Sequence, residues 1–464
     1  MRETLLTTCL LLYSYIMAAQ FGPQQIISTE GDGPYRVFTS DFNNDGFIDI
    51  IANSSLDDKI VWFKNLDGQG NFSSEIIIEQ NSNYYLHDAI DLDSDGDIDI
   101  ILEETGAPFK LYHKKNIDGN GTFGSLELFL DNNLSSLQSI DFADIDNDND
   151  LDLILSFTSS TGIFWFENLD GLGTFSNEIL LIDNNTFYIP LVLEDIDEDG
   201  LVDILTATDL YDPAKIIWFK NLGEGNFGVE QEIYQFDFFQ SDWTSVLFMK
   251  YVDINADGKK DIVANCHNDD VIGSFRVCLE NIDNEGNFNI PFYLENVSAY
   301  DDFYDLDNDG DNDALSFSYL NNEIYWFENI DSAGDFGNKR IISTEVLQPR
   351  HIKIEDFNND GLLDVVSVSS GDNKVAWYPN TGVLGISENI ENIMEVYPNP
   401  VNENLHVASK VTVTSIEIID SLGKKLYSFT NIEEINFSSF ASGIYFVKIT
   451  LEDGTSEIKK VLKQ

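Results

Sequence analysis

An acidic motif of nine residues recurs seven times along the chain, and its spacing constrains the fold more than any other feature. Each copy has Asp at position 1, Asp or Asn at position 3, and Asp at positions 5 and 9. Successive copies begin 50 to 58 residues apart, at Asp41, Asp91, Asp144, Asp195, Asp253, Asp305 and Asp356. A repeat of this length indicates a β-propeller or a solenoid, in which each repeat buries its apolar face against its neighbours.

Two further features recur in phase with the motif and favour the propeller. A strand that carries aromatic residues and ends in Asn follows the motif, and a Gly-rich turn and a Phe follow six of these seven strands. The seventh copy lies near the N-terminus, because residues 21–29 and residues 336–344 both read Phe-Gly and then Ile-Ile-Ser-Thr. A displaced strand of this kind closes a ring, whereas a solenoid has no use for it. We therefore predict a seven-bladed β-propeller over residues 20–381, with residues 21–29 completing the last blade.

The segments between the turns predict the content of each blade. They are rich in β-branched and aromatic residues, and helical periodicity is nearly absent, so we expect an all-β fold with four strands in each blade. The aromatic side chains of the strands are expected to pack between blades rather than to stack on sugars. The Trp residues among them are Trp62, Trp165, Trp218, Trp326 and Trp377.

The acidic motif predicts a calcium-binding loop. Side chains at positions 1, 3, 5 and 9 of a tight loop direct oxygen atoms at one centre, and oxygen is the ligand that Ca²⁺ prefers. The residues after position 9 are strand formers, so the loop lies in a β-hairpin rather than between the helices of an EF-hand. One copy is also typical of an ordinary turn, whereas seven copies in register favour metal binding. We predict up to seven Ca²⁺ ions, held by Asp41, Asn43, Asp45 and Asp49; Asp91, Asp93, Asp95 and Asp99; Asp144, Asp146, Asp148 and Asp152; Asp195, Asp197, Asp199 and Asp203; Asp253, Asn255, Asp257 and Asp261; Asp305, Asp307, Asp309 and Asp313; and Asp356, Asn358, Asp360 and Asp364.

The overall charge favours the same interpretation. The chain has 25 Lys and Arg against 82 Asp and Glu, a net charge of −57. Such a charge repels nucleic acid and anionic membrane surfaces, so neither is an expected partner. With 43% hydrophobic residues the chain can still form a packed core. Divalent cations would relieve the repulsion among its carboxylates.

The N-terminal segment 1–19 has the features of a secretory signal peptide. Arg2 precedes an apolar stretch from Leu5 to Met17, which is too short to span a bilayer. The residues around Cys9 do not fit a lipoprotein signal, so we expect cleavage near Ala19. No transmembrane segment is expected in the mature chain.

The composition changes after Gly382. We expect a linker over residues 382–393 and a small C-terminal β-sandwich over residues 394–464, because this segment has short alternating strands separated by polar turns. It also contains Tyr-Pro-Asn-Pro at 397–400, Ser-Gly-Ile-Tyr at 442–445 and a lysine-rich end at 459–463.

Both parts of the chain resemble known families. The acidic loop, the Trp-Phe strand ending in Asn and the Gly-x-Phe turn resemble the FG-GAP/VCBS repeats of propellers such as the heads of integrin α-subunits. This resemblance implies a secreted, calcium-stabilised propeller used in adhesion or ligand recognition. Residues 394–464 resemble the type A sorting domain of type IX secretion. This resemblance implies contact with that machinery, passage of a Gram-negative outer membrane, removal of the domain, and release or attachment of the protein at the cell surface. An Ig-like domain that stays attached is the alternative for this segment.

We find no catalytic motif in the sequence. Zinc-protease, nucleophile-elbow, phosphate-loop and dinucleotide patterns are not found. Cys266 and Cys278 lie on adjoining strands of the fifth hairpin, and in an exported protein a disulfide is favoured over two free thiols. The five histidines are spread over the chain, at His87, His113, His267, His351 and His406.

Residues at one height of the innermost strands suggest a ligand site. Blades 1 and 7 are neighbours in a closed ring, so Arg36 and Arg350 are expected at one mouth of the central channel. We interpret this rim as a candidate site for an anion or a sugar, with scattered solvated side chains as the alternative. The residues at this height are Arg36, Tyr85, Tyr300, Arg350 and His351.

These observations predict a non-enzymatic binding or adhesion module, secreted or held on the outer surface of a Gram-negative cell, with a glycan or a protein as its ligand. A lyase or hydrolase that acts on polysaccharide is the first alternative, because propellers also carry such enzymes. A purely structural component of a surface layer is the second. Cleavage of surface polysaccharides would favour the enzyme, and self-association would favour the structural component.

Overall fold

The computed structural model describes residues 20–80, 84–104, 109–132, 137–157, 161–183, 188–208, 214–236, 244–268, 273–294, 302–330, 334, 336–382, 394–397, 401, 403–409, 413–420, 425–430, 434–438, 440, 443–451 and 456–463. The predicted signal peptide, almost all of the predicted linker and Tyr300 lie outside these residues. Every regular element within them is a β-strand. Contacts divide the chain into one compact unit, Ala19–Gly382, and a second that holds Val383–Gln464.

The first unit is a ring of four-stranded antiparallel sheets. Its strands are β1 (Gln25–Ser28), β2 (Pro34–Ser40), β3 (Asp49–Ser54), β4 (Lys59–Phe63), β5 (Ile76–Gln80), β6 (Tyr84–Ile90), β7 (Asp99–Glu104), β8 (Phe109–Lys114), β9 (Glu127–Asn132), β10 (Leu137–Ala143), β11 (Asp152–Phe157), β12 (Ile163–Phe166), β13 (Ile179–Ile182), β14 (Tyr188–Glu194), β15 (Asp203–Thr208), β16 (Lys215–Phe219), β17 (Gln231–Gln235), β18 (Thr244–Val252), β19 (Asp261–Asn268), β20 (Gly273–Leu279), β21 (Phe292–Tyr293), β22 (Asp302–Tyr304), β23 (Asp313–Ser318), β24 (Glu323–Phe327), β25 (Arg340–Ser343), β26 (Pro349–Glu355), β27 (Asp364–Ser369) and β28 (Lys374–Tyr378). Blades 1 to 6 are β2–β5, β6–β9, β10–β13, β14–β17, β18–β21 and β22–β25, and blade 7 is β26, β27, β28 and β1. The fold is the predicted seven-bladed β-propeller.

The N-terminal strand completes the last blade. β1 pairs with β28, with Gln25 opposite Trp377. A single bridge joins Phe21 to Asn380, as bridges join the corresponding Asn and Phe in the other six blades. The backbone N–H of Thr381 also donates to the carbonyl of Gln20 at 2.7 Å. The two ends of the propeller chain therefore lie in one sheet, and no blade is left with a missing strand.

The apolar core lies between neighbouring blades. One cluster joins Val37 and Ile50 of blade 1 to Val366 and Trp377 of blade 7, and similar clusters lie between other blades. The five Trp residues named above are all buried, at 1 to 7% exposure. This burial supports the expected packing role, since removing a large buried side chain costs about 3–5 kcal/mol.

Seven Asn residues follow the third strands of the seven blades, and six of them link their blade to the preceding blade by hydrogen bonds. We call them the blade Asn residues: Asn65, Asn116, Asn168, Asn221, Asn281, Asn329 and Asn380. In blade 1, the Asn65 side-chain amide donates at 2.9 Å to the carbonyl of Phe357 in blade 7. Four other blade Asn residues make the same bond to the preceding blade, at 2.8 to 2.9 Å. In blade 5 the bridge runs through Tyr251, whose hydroxyl accepts from Asn281 at 3.0 Å and donates to the carbonyl of Ile196.

The C-terminal unit is a small β-sandwich. Its strands are β29 (Met394–Tyr397), β30 (Asn404–Ser409), β31 (Val413–Asp420), β32 (Lys425–Thr430), β33 (Glu434–Asn436), β34 (Gly443–Leu451) and β35 (Ser456–Lys463). They form one sheet in the order β29-β30-β33 and another in the order β32-β31-β34-β35. Ile416, Phe437 and Val447 are fully buried in its core.

The predicted disulfide is wrong. Cys266 on β19 is opposite Phe275, and Cys278 on β20 is opposite Val263. The two cysteines are thus offset by three positions along the ladder, and an odd offset places them on opposite faces of the sheet. Both are buried free thiols, in two different apolar clusters.

Candidate metal centres

The seven acidic loops join the first and second strands of the seven blades, and they share one backbone conformation. We number them loops 1 to 7 after their blades. In every loop the carboxylate at position 1 accepts hydrogen bonds from the backbone N–H groups of positions 5 and 6, at 2.7 to 3.3 Å. Positions 4 and 6 have positive φ in all seven, including Glu198 and Ala256 at position 4. Position 6 is Gly in six loops and Asn149 in loop 3, residue types that tolerate positive φ, whereas the residue types at position 4 do not indicate it in every loop.

Position 9 anchors each loop to its blade. The Asp at this position is the first residue of the second strand and is at most 1% exposed in all seven loops. One of its oxygens accepts the backbone N–H of the blade Asn at 2.7 to 2.9 Å. Burial raises the pKa of Asp313 and of Asp364 to about 7. The ionised form of these carboxylates is therefore disfavoured unless a cation compensates it.

Position 3 distinguishes the loops from one another. It is Asp in loops 2, 3, 4 and 6, and Asn in loops 1, 5 and 7. In the four loops with Asp, three carboxylates offer oxygens that lie within 4.8 Å of one another: Asp91, Asp93 and Asp99; Asp144, Asp146 and Asp152; Asp195, Asp197 and Asp199; and Asp305, Asp307 and Asp313. In loops 1, 5 and 7, which are all described, no three carboxylates offer oxygens within this distance.

The position 3 carboxylates also contain oxygens without a hydrogen-bond partner. Among the described residues, one buried oxygen each of Asp93, Asp146, Asp197 and Asp307 has no such partner. Leaving a buried charged oxygen unpaired costs more than about 1–3 kcal/mol, so native proteins rarely do it. These are the same four loops in which three carboxylates converge. A hard divalent cation takes oxygen ligands of this kind, so the residues present fit a metal ion.

Lysine side chains contact four of the acidic loops, which the sequence did not indicate. Lys259 lies within loop 5 and contacts Asp257. The other three lysines each precede a blade Asn. The Lys64 ammonium lies 3.0 Å from Asp45 Oδ2, and the Lys115 ammonium lies 2.9 Å from Asp93 Oδ2. Lys220 contacts Asp197 and lies 2.9 Å from Asp199 Oδ2. In these loops an ammonium group compensates part of the negative charge.

In loops 3, 5 and 6 a glutamate precedes the blade Asn, and of these only loops 3 and 6 also have Asp at position 3. Glu167 and Glu328 precede their blade Asn residues, and no described Lys or Arg lies within ion-pair distance of Asp146 or Asp307. Burial, assisted by the neighbouring carboxylates, raises the pKa of Asp307 to about 6. Burial and Asp148 also raise the pKa of Asp146. Loop 3 thus has no described Lys or Arg in contact with its position 3 carboxylate or with Glu167, whereas in loop 6 Arg340 pairs with Glu328 and partly opposes the rise in the pKa of Asp307.

Family comparisons agree with the two-part architecture. A model described as an FG-GAP-like repeat matches residues 41–102, 195–264 and 305–367. A model described as a secretion system C-terminal sorting domain matches residues 395–464. The chain carries FG-GAP-like repeats and a type IX sorting domain. The matched FG-GAP-like repeats include every acidic loop except loop 3, which has Asn149 in place of Gly and the same hydrogen bonds as the others.

The sorting domain determines where the FG-GAP-like propeller is delivered. It engages the type IX secretion machinery and directs the chain to the cell surface or the extracellular space, as the sequence predicted. None of the described residues forms a helix that could cross a membrane. No curated protein matches the chain.

Several solved structures are similar to this chain at 9 to 11% sequence identity. The extracellular domain of a hybrid two-component system from B. thetaiotaomicron is 11% identical with a TM-score of 0.44, over 96% of this chain and 59% of that one. BBS1N, in complex with ARL6DN, is 10% identical with a TM-score of 0.49, over 80% of this chain and 99% of that one. The Dos1 propeller is 9% identical with a TM-score of 0.46, over 78% and 96%. The chain thus spans 59% of the first of these structures.

Proposed function

We propose that the protein is an exported binding module whose propeller is stabilised by calcium. The calcium part rests on one observation, the four buried position 3 oxygens without a hydrogen-bond partner among the described residues. Each belongs to a loop in which three carboxylates approach within 4.8 Å. The binding role is supported by the resemblance of the repeats to propellers of adhesion proteins, and by the type IX sorting domain, which delivers the ring outside the cell.

The donor set favours calcium over other cations. It consists of carboxylate and amide oxygens without Cys or His, and a hard cation prefers such ligands. In loop 6 the ion would be held by Asp305, Asp307 and Asp313. A bound ion would neutralise these carboxylates and link the turn to β23. The protein itself fixes the ligands, because the backbone holds Asp305 and the N–H of Asn329 holds Asp313.

The same geometry predicts an order of affinity. Loops 3 and 6 combine the full Asp set with no neighbouring ammonium, so they are expected to bind most tightly. In loops 2 and 4 a calcium ion would compete with the ammonium groups of Lys115 and Lys220 for the position 3 carboxylate. In loop 1 the polar groups already have hydrogen-bond partners within the protein, since Asn43 donates to Asp49 at 2.6 Å and accepts from Lys64 at 3.0 Å. We expect it to be the weakest site.

Calorimetric titration of the mature, chelator-treated protein with Ca²⁺, together with thermal unfolding, tests this proposal. We expect several bound ions and a higher melting temperature, because a ligand at 100 times its Kd adds about 2.7 kcal/mol of stability for each site. Mg²⁺ should stabilise less, since it demands an octahedral shell. Asp307→Asn should weaken the loop 6 site, because position 3 then carries the neutral amide found in loops 1, 5 and 7. The control is Asp372→Asn, whose carboxylate pairs with Lys374 at 3.0 Å outside the loops.

Two results would contradict the proposal. A melting temperature that excess chelator leaves unchanged would mean that the loops are ordinary turns. Release of new reducing ends from a surface polysaccharide by the purified protein would favour the lyase or hydrolase instead. Sedimentation velocity separates the structural alternative, which predicts large self-assembled species.

A further inference from the structure

A cavity lies where the inner strands of blades 7, 1 and 2 meet. Its volume is about 440 Å³, and Tyr35, Arg36, Tyr85, Glu103 and Arg350 are among its lining residues. This volume is within the range of small-molecule sites, about 300–1,000 Å³. The structure therefore brings together three of the five residues that the sequence placed at one height of the channel. His351 is not among the lining residues, because its ring turns toward the neighbouring strand, with Nδ1 3.0 Å from the carbonyl of Val37.

The cavity is on the face opposite the acidic loops. Arg36 and Arg350 are near the beginning of β2 and β26, whereas loops 1 and 7 follow the last residues of these strands. Ser370, which also lines the cavity, follows the end of β27, and that strand runs away from loop 7. The cavity is thus separate from the candidate metal centres.

Neutral groups hold the two guanidinium groups in place. Arg350 Nε donates to Ser370 Oγ at 2.9 Å, and its guanidinium carbon lies 4.5 Å from the ring centre of Tyr319 and 5.5 Å from that of Tyr35. Arg36 Nη1 donates to the carbonyl of Leu86 at 3.1 Å. Neither arginine has a carboxylate within 4.0 Å among the described residues. Both therefore keep donors that can bind an anion.

This lack of carboxylate partners contrasts with the rest of the propeller. Carboxylates outnumber Lys and Arg by 82 to 25, and most propeller lysines have an acidic partner, as Lys110 has Glu104 and Lys339 has Glu323. Two arginines without a carboxylate within 4.0 Å, facing one cavity, are therefore unusual among the described residues. Arg is also the residue that matches planar carboxylates and sulfate oxygens best.

The other lining groups favour a sugar over a simple anion. Tyr35 is 38% exposed and touches Tyr85 edge to face, with ring centres 5.9 Å apart. An exposed aromatic ring offers an apolar face for a pyranose, and its hydroxyl offers a hydrogen bond. Glu103 adds an acceptor for sugar hydroxyls, whereas it would repel a small anion that filled the cavity.

We propose that this cavity binds an acidic sugar of an extracellular glycan, with its carboxylate or sulfate group on Arg36 and Arg350 and its ring against Tyr35. The proposal rests on the proposed binding function and names its ligand class. Uronic acids and sulfated sugars share the required chemistry, so the experiment must separate them.

Calorimetric titration of the mature protein in saturating Ca²⁺ and 0.15 M salt, where the Debye length is about 8 Å, tests the proposal. The probes are trigalacturonate, a sulfated trisaccharide, the neutral maltotriose and inorganic sulfate. We expect one or both acidic sugars to bind, and maltotriose and sulfate to bind at least about tenfold more weakly, a difference of about 1.4 kcal/mol. Which acidic sugar binds more tightly identifies the acidic group.

Variants assign the binding to this cavity. Arg36→Gln and Arg350→Gln should each weaken the acidic sugar about tenfold or more, because a charge-assisted hydrogen bond is lost. Arg340→Gln is the matched control, because it also removes one positive charge but its partner is Glu328. Calcium stoichiometry and melting temperature of each variant show whether it is folded.

Three outcomes would overturn the proposal. They are no binding of either acidic sugar, equal binding of maltotriose or sulfate, and unchanged affinity in the Arg36→Gln/Arg350→Gln double variant. Calcium binding is measured in the same preparation. A protein that binds calcium but no acidic sugar refutes the sugar site alone, whereas one that binds no calcium refutes the proposed metal centres.

Discussion

At the scale of single residues, the seven loops differ through a side chain that is distant in sequence. Lys220 follows position 3 of its loop by 23 residues, yet its ammonium contacts Asp197. Glu167 holds the equivalent place in blade 3. Glu167 follows β12 and Lys220 follows β16, so the two residues lie at equivalent positions in their blades. A substitution between Lys and Glu at this position changes the charge beside the loop by two units. Identical acidic motifs therefore need not have identical affinities.

Replacing Lys220 by Met should strengthen calcium binding in loop 4. The variant keeps the apolar stem and removes the competing ammonium, so we expect an affinity several-fold to about tenfold higher, in line with a partly exposed charge pair. Native mass spectrometry at stepped free calcium concentrations counts the ions. Lys215→Met in the same blade is the control, because Lys215 pairs with Glu232 at 2.8 Å. An unchanged count at every concentration would show that the ammonium does not compete.

Asp141 on the inner strand β10 predicts a pH dependence. Burial, assisted by Asp88 and Glu194, raises its pKa to about 6, although the backbone N–H of Phe142 opposes this shift. The ionised form is thus disfavoured in the folded state, and stability is lost as the pH rises from about 4 through 6. Asp141→Asn should stabilise the protein by roughly 1–2 kcal/mol at pH 8 and hardly at pH 4. Urea unfolding at both pH values measures this, and an equal gain at both would exclude titration as the cause.

At the scale of elements, the turns after the blade Asn residues lock neighbouring blades together. Gly225 of blade 4 has a φ of 66°, and a Cβ atom built on it would lie 2.5 Å from the ring of Trp165 in blade 3. The same relation holds between blades 4 and 5, where Gly286 lies over Trp218. Trp165 and Trp218 thus each fill the space that a glycine of the next blade leaves open.

Gly225→Ala should therefore destabilise the propeller by about 2 kcal/mol or more, since both the left-handed backbone and the contact with Trp165 oppose a side chain. Thermal unfolding in saturating calcium measures the loss. Gly228→Ala is a control in the same segment, because its φ is not positive and its nearest neighbour atom would be 3.5 Å away. Equal effects of the two substitutions would mean that the Trp contact is not specific.

The sequence predicts the strands and the number of blades more directly than it predicts the contacts between them. The period of the acidic motif and the displaced Phe-Gly segment were sufficient for the number of blades, because repetition reports topology directly. The repeat pattern does not specify the register between neighbouring strands, so it does not predict the offset that separates Cys266 from Cys278. The contacts of the blade Asn side chains and of Lys220 join different elements, and no local pattern specifies them. Arg36 and Arg350 were paired correctly only because ring closure makes blades 1 and 7 neighbours.

At the scale of the whole molecule, the ring depends on a short strand at its beginning. Phe21 is 5% exposed and packs in the cluster that joins blades 6 and 7. The side-chain amide of Gln24 donates to the hydroxyl of Tyr378 at 2.8 Å. Without β1, the backbone of β28 would be an unpaired edge, and such edges associate with other chains.

Deleting residues 20–30 should therefore open the ring. We expect a loss of at least about 3 kcal/mol, the cost of losing one large buried aromatic side chain such as Phe21, together with increased aggregation through the edge of β28. Calorimetric melting and light scattering measure the two effects. A chain that ends at Gly382 is the control for truncation, and it should keep the propeller transition because β1 and β28 both remain. Adding a peptide of residues 20–30 to the deleted protein should restore part of the lost stability, since that peptide can pair with β28. If the deletion left the melting temperature unchanged, the strand would be an accessory to blade 7 and not the closure of the ring.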